Sequence, residues 1–517
     1  MYGMNEAIML MLCLVICAIH PQVYETQPNH DTTIVKNVKS CHCVWKIVQA
    51  FEGIQALDEV EGMPKEACLT TKTSGAREII EEAGLDGHLG LAFAIMYERS
   101  LGGDSPFAGY LQLLPFQECV PIVWTLDEVN ELLCGTELHL VYLVLVMSIH
   151  VSMLLYWKEN ILPILDLAPL KLNPKFFGIE QYFAAKSLIS SRSFEIDNYH
   201  GFGMVPLADL FNHKTGAEDV HFTAMSSNDE SDTDVDGCNN DEGIVEEEAL
   251  AQNSSIDMTA LNNGNCNVSD LDSSSLSESD TSMLEMIMTK DVSSGSEVFN
   301  TYGILGNAAL LHRYGFTEQD NSYDIVNIDM ELVIQWCSSV FSDRHSRARV
   351  SLWRRLGYSV CGSQDSDYFE ISFDGEPQIE LLSLLHIMLL PDNAYHKLDL
   401  SVSVAGNYDE SNGTTLLNGD IFPSKAFNMN NKSLLPNKVC DALLSLSDMR
   451  ESLYGLKSIE DDIEALGRGS LIRERKLYHS LMLRINERKI LQRLRNYASQ
   501  PFKNKITNHD LDKGNGQ

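Results

Sequence analysis

Four groups of residues in this chain have types and spacings that could do chemistry. An apolar run from Val205 to Leu210 is interrupted only by Asp209, and a lone acid in such a setting needs a partner or a task. Just beyond it, Asn212 and His213 stand side by side. An amide that both donates and accepts suits an adenine edge or a carboxylate. Far downstream, a short β-type run from Val298 to Thr301 delivers Tyr302 onto Gly303. Upstream, Arg192 ends a helix-patterned stretch, where a cation complements the helix dipole whatever else it does. A single histidine is ordinarily a satisfied core residue, so it is the order of the groups that carries weight.

That order is specific. Ser190-Ser-Arg-Ser-Phe194, the Asn212-His213 stretch, Asn300-Thr-Tyr-Gly303 and Leu310-Leu-His-Arg-Tyr-Gly-Phe316 follow one another along the chain. Together they resemble the SET-domain methyltransferases, in the group that includes Rubisco large-subunit lysine methyltransferase and the ribosomal-protein lysine methyltransferases. The resemblance implies S-adenosyl-L-methionine as cofactor and no metal. It implies that Arg192, Asn212 and His213 hold the cofactor, together with a first loop, Glu52-Gly53-Ile54, where glycine lets backbone approach the ligand. It implies that Tyr302 is catalytic, and that Arg192, Asp209, Tyr302 and Tyr314 face the substrate lysine. The spacer Gln55–Gly62 is shorter than the family pattern, and Ile196 stands where a second basic residue is usual. The implied activity is methyl transfer to a lysine of a non-histone, ribosomal or other basic protein. The alternatives are a catalytically impaired SET-fold binding protein, or a methyltransferase acting on a histone or on histidine.

The elements that must position these groups make an α+β architecture. Residues 1–44 are unassigned, and a SET-domain β fold spans 45–318, with a helical insertion over about 76–190. An all-α substrate-binding unit follows over 324–500, and then a frayed tail, 501–517. Helical patterning covers Ala76–Glu82, Leu89–Leu101, Leu126–Cys134 and Phe176–Ser190. In the last, Ile179 with Phe183 and Ala184 with Leu188 recur at four-residue spacing, the signature of an inward stripe. Strands are expected at Met283–Asp291 and Glu297–Thr301, and a short helix at Asn307–Arg313 capped by Gly315. Beyond Asp324, helices are expected at Leu332–Phe341, Gln378–Leu390, Val439–Leu456, Ile459–Leu466 and Leu471–Asn496.

Composition narrows the partners. The net charge is −35, which argues against direct nucleic-acid binding, because phosphate neutralisation needs Lys and Arg. It favours a basic protein through electrostatic steering. Much of the charge sits in residues 226–283, a Ser-, Asp- and Asn-rich stretch expected to be a disordered acidic loop. Twelve cysteines are scattered; only Cys41-His42-Cys43 is a tight group, and no second pair lies at zinc-ligand spacing. Two apolar stretches stand out. Ala7–Ile19 lacks the basic flank of a signal peptide. Leu140–Trp157 approaches the length of a membrane span, where the resemblance calls for a polar amphipathic helix. An altered transcript, a buried helix and a membrane anchor are the three accounts of it, with no membrane association expected. A monomer in nucleus or cytoplasm is the expectation.

Overall fold

The computed structural model describes residues 59–166, 172–224, 283–357, 368–406, 435–469 and 474–511. The Glu52-Gly53-Ile54 loop, both the tight cysteine group and the first apolar stretch, and nearly all of the acidic segment lie outside these residues.

Eight short strands form the β part: β1 (Glu59–Pro64), β2 (Leu69–Thr70), β3 (Ser193–Asp197), β4 (Gly201–Met204), β5 (Asn212–His213), β6 (Val220–Ala224), β7 (Met283–Met288) and β8 (Phe299–Asn300). They make three small sheets rather than one large one. β1, β7 and β6 pair antiparallel, with Met63 opposite Leu284 and Phe222 opposite Met286. β2, β4 and β3 pair antiparallel, with Leu69 opposite Met204 and Phe194 opposite Gly203. β5 and β8 pair parallel, with Asn212 opposite Phe299 and His213 opposite Asn300. In β7, Leu284, Met286 and Met288 are buried while the residues between them are less so. That alternation is what a half-covered strand requires, and it joins Val205, Phe211, Val220 and Val298 in one core.

Between β2 and β3 lies the helical insertion, which carries α1 (Arg77–Glu82), α2 (Gly87–Leu101), α3 (Leu126–Leu132), α4 (Glu137–Tyr156) and α5 (Ile179–Arg192). α2 is buried nearly all round, from Leu91 to Met96, and shares a core with α5, Phe93 meeting Phe177 just ahead of that helix. The buried apolar face of α5 is Tyr182, Ala184, Ala185, Leu188 and Ile189, so the expected pair Ala184 and Leu188 points inward while Ile179 and Phe183 are only partly buried at its edge. α4 runs through the apolar stretch that invited three accounts. It is capped by Thr136, whose hydroxyl accepts from the His139 amide, and it passes into a π-helical turn at Trp157–Ile161. No helix among the described residues is long and apolar enough to cross a membrane.

After β8 come α6 (Asn307–Tyr314), β9 (Val326–Asp329), α7 (Met330–Val340), α8 (Asp343–Arg355), β10 (Tyr368–Ile371), α9 (Ile379–Leu389), α10 (Asp392–Gly406), α11 (Asn437–Ser452), α12 (Ile459–Arg468) and α13 (Arg475–Leu511). β9 and β10 form an antiparallel ribbon, which an all-α reading leaves out. It arises because Val326, Ile328, Phe369 and Ile371 supply four fully buried apolar side chains to the core of this region. α13 continues to Leu511, into what was expected to be a frayed tail. α8 and α10 are helices that hydrophobic periodicity did not reveal.

The helical region after β8 is fastened to the insertion by buried charge. Arg450 on α11 donates to the Gly135 carbonyl at 2.7 Å and to Glu137 at 2.8 Å. The Glu137 amide in turn donates to Glu487 of α13 at 3.0 Å, and the Tyr454 hydroxyl donates to Glu487 at 2.7 Å. Burial, reinforced by Glu137, drives the Glu487 carboxyl well above the usual range.

α6 ends on Gly315, as expected, at φ 74°, its amide donating to the Leu310 and Leu311 carbonyls. A Cβ there would stand 2.7 Å from the Cys119 carbonyl oxygen. Gly315→Ala is therefore expected to cost about 2–4 kcal/mol, from the left-handed backbone and the clash together. Thermal unfolding checks it; a midpoint equal to wild type contradicts it.

Candidate active site

The parallel pairing of β5 with β8 brings the Asn212-His213 stretch beside Asn300-Thr301-Tyr302, although roughly ninety positions separate them. His213 then fixes the tyrosine from below: its Nδ1 accepts the Tyr302 amide at 3.0 Å. The Tyr302 hydroxyl donates to the Phe211 carbonyl at 2.7 Å. Its ring is enclosed by aromatic neighbours, with centroids 4.6 Å away at Tyr314, 5.2 Å at His213 and 6.3 Å at Phe316. Burial raises the pKa of Tyr302, and Tyr314, Asp209 and Glu118 add to the rise, while Arg192 opposes it. The phenol therefore stays protonated at neutral pH. With its proton held by Phe211, the oxygen presents a lone pair to whatever occupies the space beside it.

A second group of charges borders this tyrosine. Arg192, the last residue of α5, puts its Nε 2.7 Å from Glu118 and its terminal nitrogen 2.7 Å from the same oxygen. Its other terminal nitrogen donates to Asp209 Oδ2 at 3.1 Å and to the Asp209 carbonyl at 3.4 Å. The Tyr110 hydroxyl donates to the same Asp209 oxygen at 3.1 Å. Burial works against the charge on Arg192, but Glu118 and Asp209 outweigh it and raise its pKa. Burial and Asp209 raise the Tyr110 phenol in the same way. Asp209 reaches this position on a 3-10 turn, Ala208–Leu210, entered through Leu207 at φ 71°. A leucine in the left-handed region carries about 1–2 kcal/mol of strain. Backbone strain of this kind gathers at functional sites.

The structure thus brings Arg192, Asp209, Asn212, His213, Tyr302 and Tyr314 into one region, as the order of motifs suggested. Glu52, Gly53 and Ile54 lie outside the described residues. Several participants were missed. Glu118 and Tyr110 lie on loops and a short turn of the insertion, with nothing local to mark them. Thr215 and Glu318 flank His213: the Thr215 amide donates to Glu318 at 3.1 Å and the Thr215 hydroxyl contacts the same carboxylate. Asn212 donates through its amide to Glu297 at 2.8 Å.

The donor set fits a cofactor bearing a carboxylate and a heterocycle. Arg192 uses all three of its nitrogens on Glu118 and Asp209. Its side chain is nonetheless 23% exposed, so part of the guanidinium faces outward where an anionic group could meet it. Among the described residues, no group of three or more His, Cys, Asp or Glu side chains is placed to hold a metal ion.

No family model matches the chain. It is similar to ribosomal lysine N-methyltransferase 3 of Saccharomyces cerevisiae, at 25% identity over 339 residues, or 57% of this chain and 60% of the relative. It is similar to ribosomal lysine N-methyltransferase 4 of Schizosaccharomyces pombe, at 24% identity over 421 residues, or 72% of this chain and 86% of that one. N-lysine methyltransferase setd6 of Salmo salar is 25% identical over 313 residues, 57% of this chain and 56% of the relative. The chain thus spans a little over half the length of two of these relatives and most of the third. Among solved structures, the SET domain of LSMT bound to lysine and AdoHcy superposes with a TM-score of 0.51 at 17% identity, over 96% of this chain and 92% of that one. Rubisco LSMT bound to sinefungin and monomethyllysine gives 0.52 at 18% identity, over 96% and 92%. The chain has the SET fold of those structures, mixed helix and sheet, and its curated relatives are lysine N-methyltransferases.

Proposed function

We propose that this chain is an S-adenosyl-L-methionine-dependent protein-lysine N-methyltransferase whose acceptor is a lysine of a ribosomal or other basic non-histone protein. One observation carries the reading. A protonated tyrosine, fixed at its amide by His213 and at its hydroxyl by Phe211, stands among Tyr314 and Phe316 next to Arg192. Relatives that are lysine N-methyltransferases, two of them ribosomal, supply the acceptor class.

When bound, the cofactor supplies a sulfonium methyl open to in-line displacement. The chain's own residues have three tasks. Arg192, Asn212 and His213, with the Glu52-Gly53-Ile54 loop, hold the cofactor. Tyr314, Tyr302 and Phe316 form apolar walls that exclude water and favour the neutral amine, since a lysine ammonium gives up its proton readily where it is desolvated. Tyr302 orients the amine and the methyl carbon through its hydroxyl oxygen; protonated as it is, it does not serve as the base. Asp209 lies on the substrate side, tied to Arg192 and Tyr110.

The mainly helical region over 324–500 is the part we assign to holding the protein substrate, with 45–318 as the SET domain. The remaining acidic surface would steer a basic partner. A monomer acting in nucleus or cytoplasm is consistent with this assignment.

The test is transfer of labelled methyl from S-adenosyl-L-methionine to a salt-washed ribosomal protein preparation, followed by hydrolysis and amino-acid analysis. Label should appear as Nε-methyllysine and should vanish with Tyr302→Phe. Label in methylhistidine would refute the acceptor.

A further inference from the structure

His213 accepts the Tyr302 amide at Nδ1, so in that state its ring proton resides on Nε2. On that side stand the Thr215 hydroxyl at 3.4 Å and a carboxylate oxygen of Glu318 at 3.7 Å. Glu318 also accepts the Thr215 amide and contacts the Thr215 hydroxyl. From the segment after α6, it therefore closes the far side of the imidazole.

Glu318 is itself held from elsewhere. Its amide donates to Asn307 Oδ1 at 2.7 Å, and its carbonyl accepts from Asn307 at 2.8 Å and from Asn486 of α13 at 3.2 Å. Asn307 and Asn486 both donate to Asp324, at 2.8 and 3.1 Å. The neighbouring Thr317 donates its amide to His479 of α13 at 3.1 Å. Two residues of the long helix thus clamp the segment whose carboxylate steadies the histidine that carries the tyrosine.

We propose that Glu318 is a positioning residue for the reaction: it fixes the ring orientation and tautomer of His213, and through it the backbone of Tyr302, with α13 as its anchor. The proposal rests on the functional reading above in taking Tyr302 as catalytic. Among the described residues, the titratable groups facing the His213 ring are Glu318 and Tyr302, with Tyr314 packed against Tyr302 beyond; burial raises the Tyr302 phenol, which stays neutral throughout the range that matters here.

A protonated His213 cannot accept the Tyr302 amide, so acidification must undo the arrangement. Burial lowers the His213 pKa and Glu318 partly offsets this. A histidine whose folded pKa lies below its unfolded one favours the native state above the unfolded value, and that contribution is lost as pH falls through the folded one. The arrangement is therefore complete at neutral pH and is lost on its acid side. Removing the charge of Glu318 moves that loss to lower pH.

The experiment compares wild type with Glu318→Gln and Glu318→Ala in the full chain, by hydrogen–deuterium exchange of residues 300–304 as a function of pH and by methyl transfer at pH 8. Gln keeps an acceptor and loses the charge. It should retain most of kcat at pH 8 and move the acid loss of Tyr302 amide protection to lower pH. Ala should expose the Tyr302 amide to exchange and lower kcat about tenfold or more, with the cofactor KM changed far less. Exchange needs no turnover. A wild type that transfers no methyl would therefore sink the functional reading, while the exchange comparison would still decide the role of Glu318. Wild-type protection of the Tyr302 amide in Glu318→Ala would overturn the proposal, as would an acid loss of that protection unmoved in Glu318→Gln.

Discussion

Replacing Tyr302 by Phe should slow methyl transfer by about a hundredfold or more while leaving binding of S-adenosylhomocysteine close to wild type. The substitution keeps the ring, its contacts with Tyr314, His213 and Phe316, and the amide bond to His213. It deletes only the hydroxyl that donates to Phe211. The loss therefore falls on alignment in the transition state, which lowers kcat with little change in ground-state binding. Parallel titrations and single-turnover assays separate the two quantities. Turnover equal to wild type would show that the oxygen has no part in orienting the amine.

Replacing Arg192 by Met should damage both stability and cofactor binding. Arg192 is in contact with both Glu118 and Asp209, whose side chains are 5% and 4% exposed. Removing one partner from a buried charge network leaves the others uncompensated, at a cost of about 3–5 kcal/mol. Arg192→Lys should fall between: a single ammonium cannot present the fork that engages one carboxylate through two nitrogens and the other through the third. Thermal unfolding and titration with S-adenosylhomocysteine read the two effects. An Arg192→Met protein as stable as wild type and binding as tightly would contradict both the network and the assignment of Arg192 to the cofactor.

The sequence exposes some of these residues and hides others for physical reasons. The motif residues were legible because each sits in a short stretch whose neighbours have the same constraints: the Tyr302 run, the Asn212-His213 pair and the Gly315 cap. Glu118 and Tyr110 were not, because their partners Arg192 and Asp209 lie 74 and 99 positions away. A charge paired across such a separation leaves no periodic trace. Glu318 was hidden in the same way, 103 positions from Thr215. α8 escaped notice because part of its inner face is arginine. Arg349 is almost fully buried, lies over the Tyr395 ring at 4.4 Å and donates to the Ile387 carbonyl, so an apolar stripe was the wrong thing to look for. The ribbon β9–β10 was missed because each strand is only four residues long and its partner lies roughly forty residues away.

The central claim is that the Arg192, Asn212 and His213 region holds S-adenosyl-L-methionine beside Tyr302. Calorimetric titration of the purified full chain with S-adenosylhomocysteine tests it most directly. One-to-one binding at micromolar or tighter affinity, abolished by Arg192→Met, is the predicted result. A folded protein that releases or takes up no heat at saturating ligand, and whose thermal midpoint the ligand leaves unmoved, would contradict it.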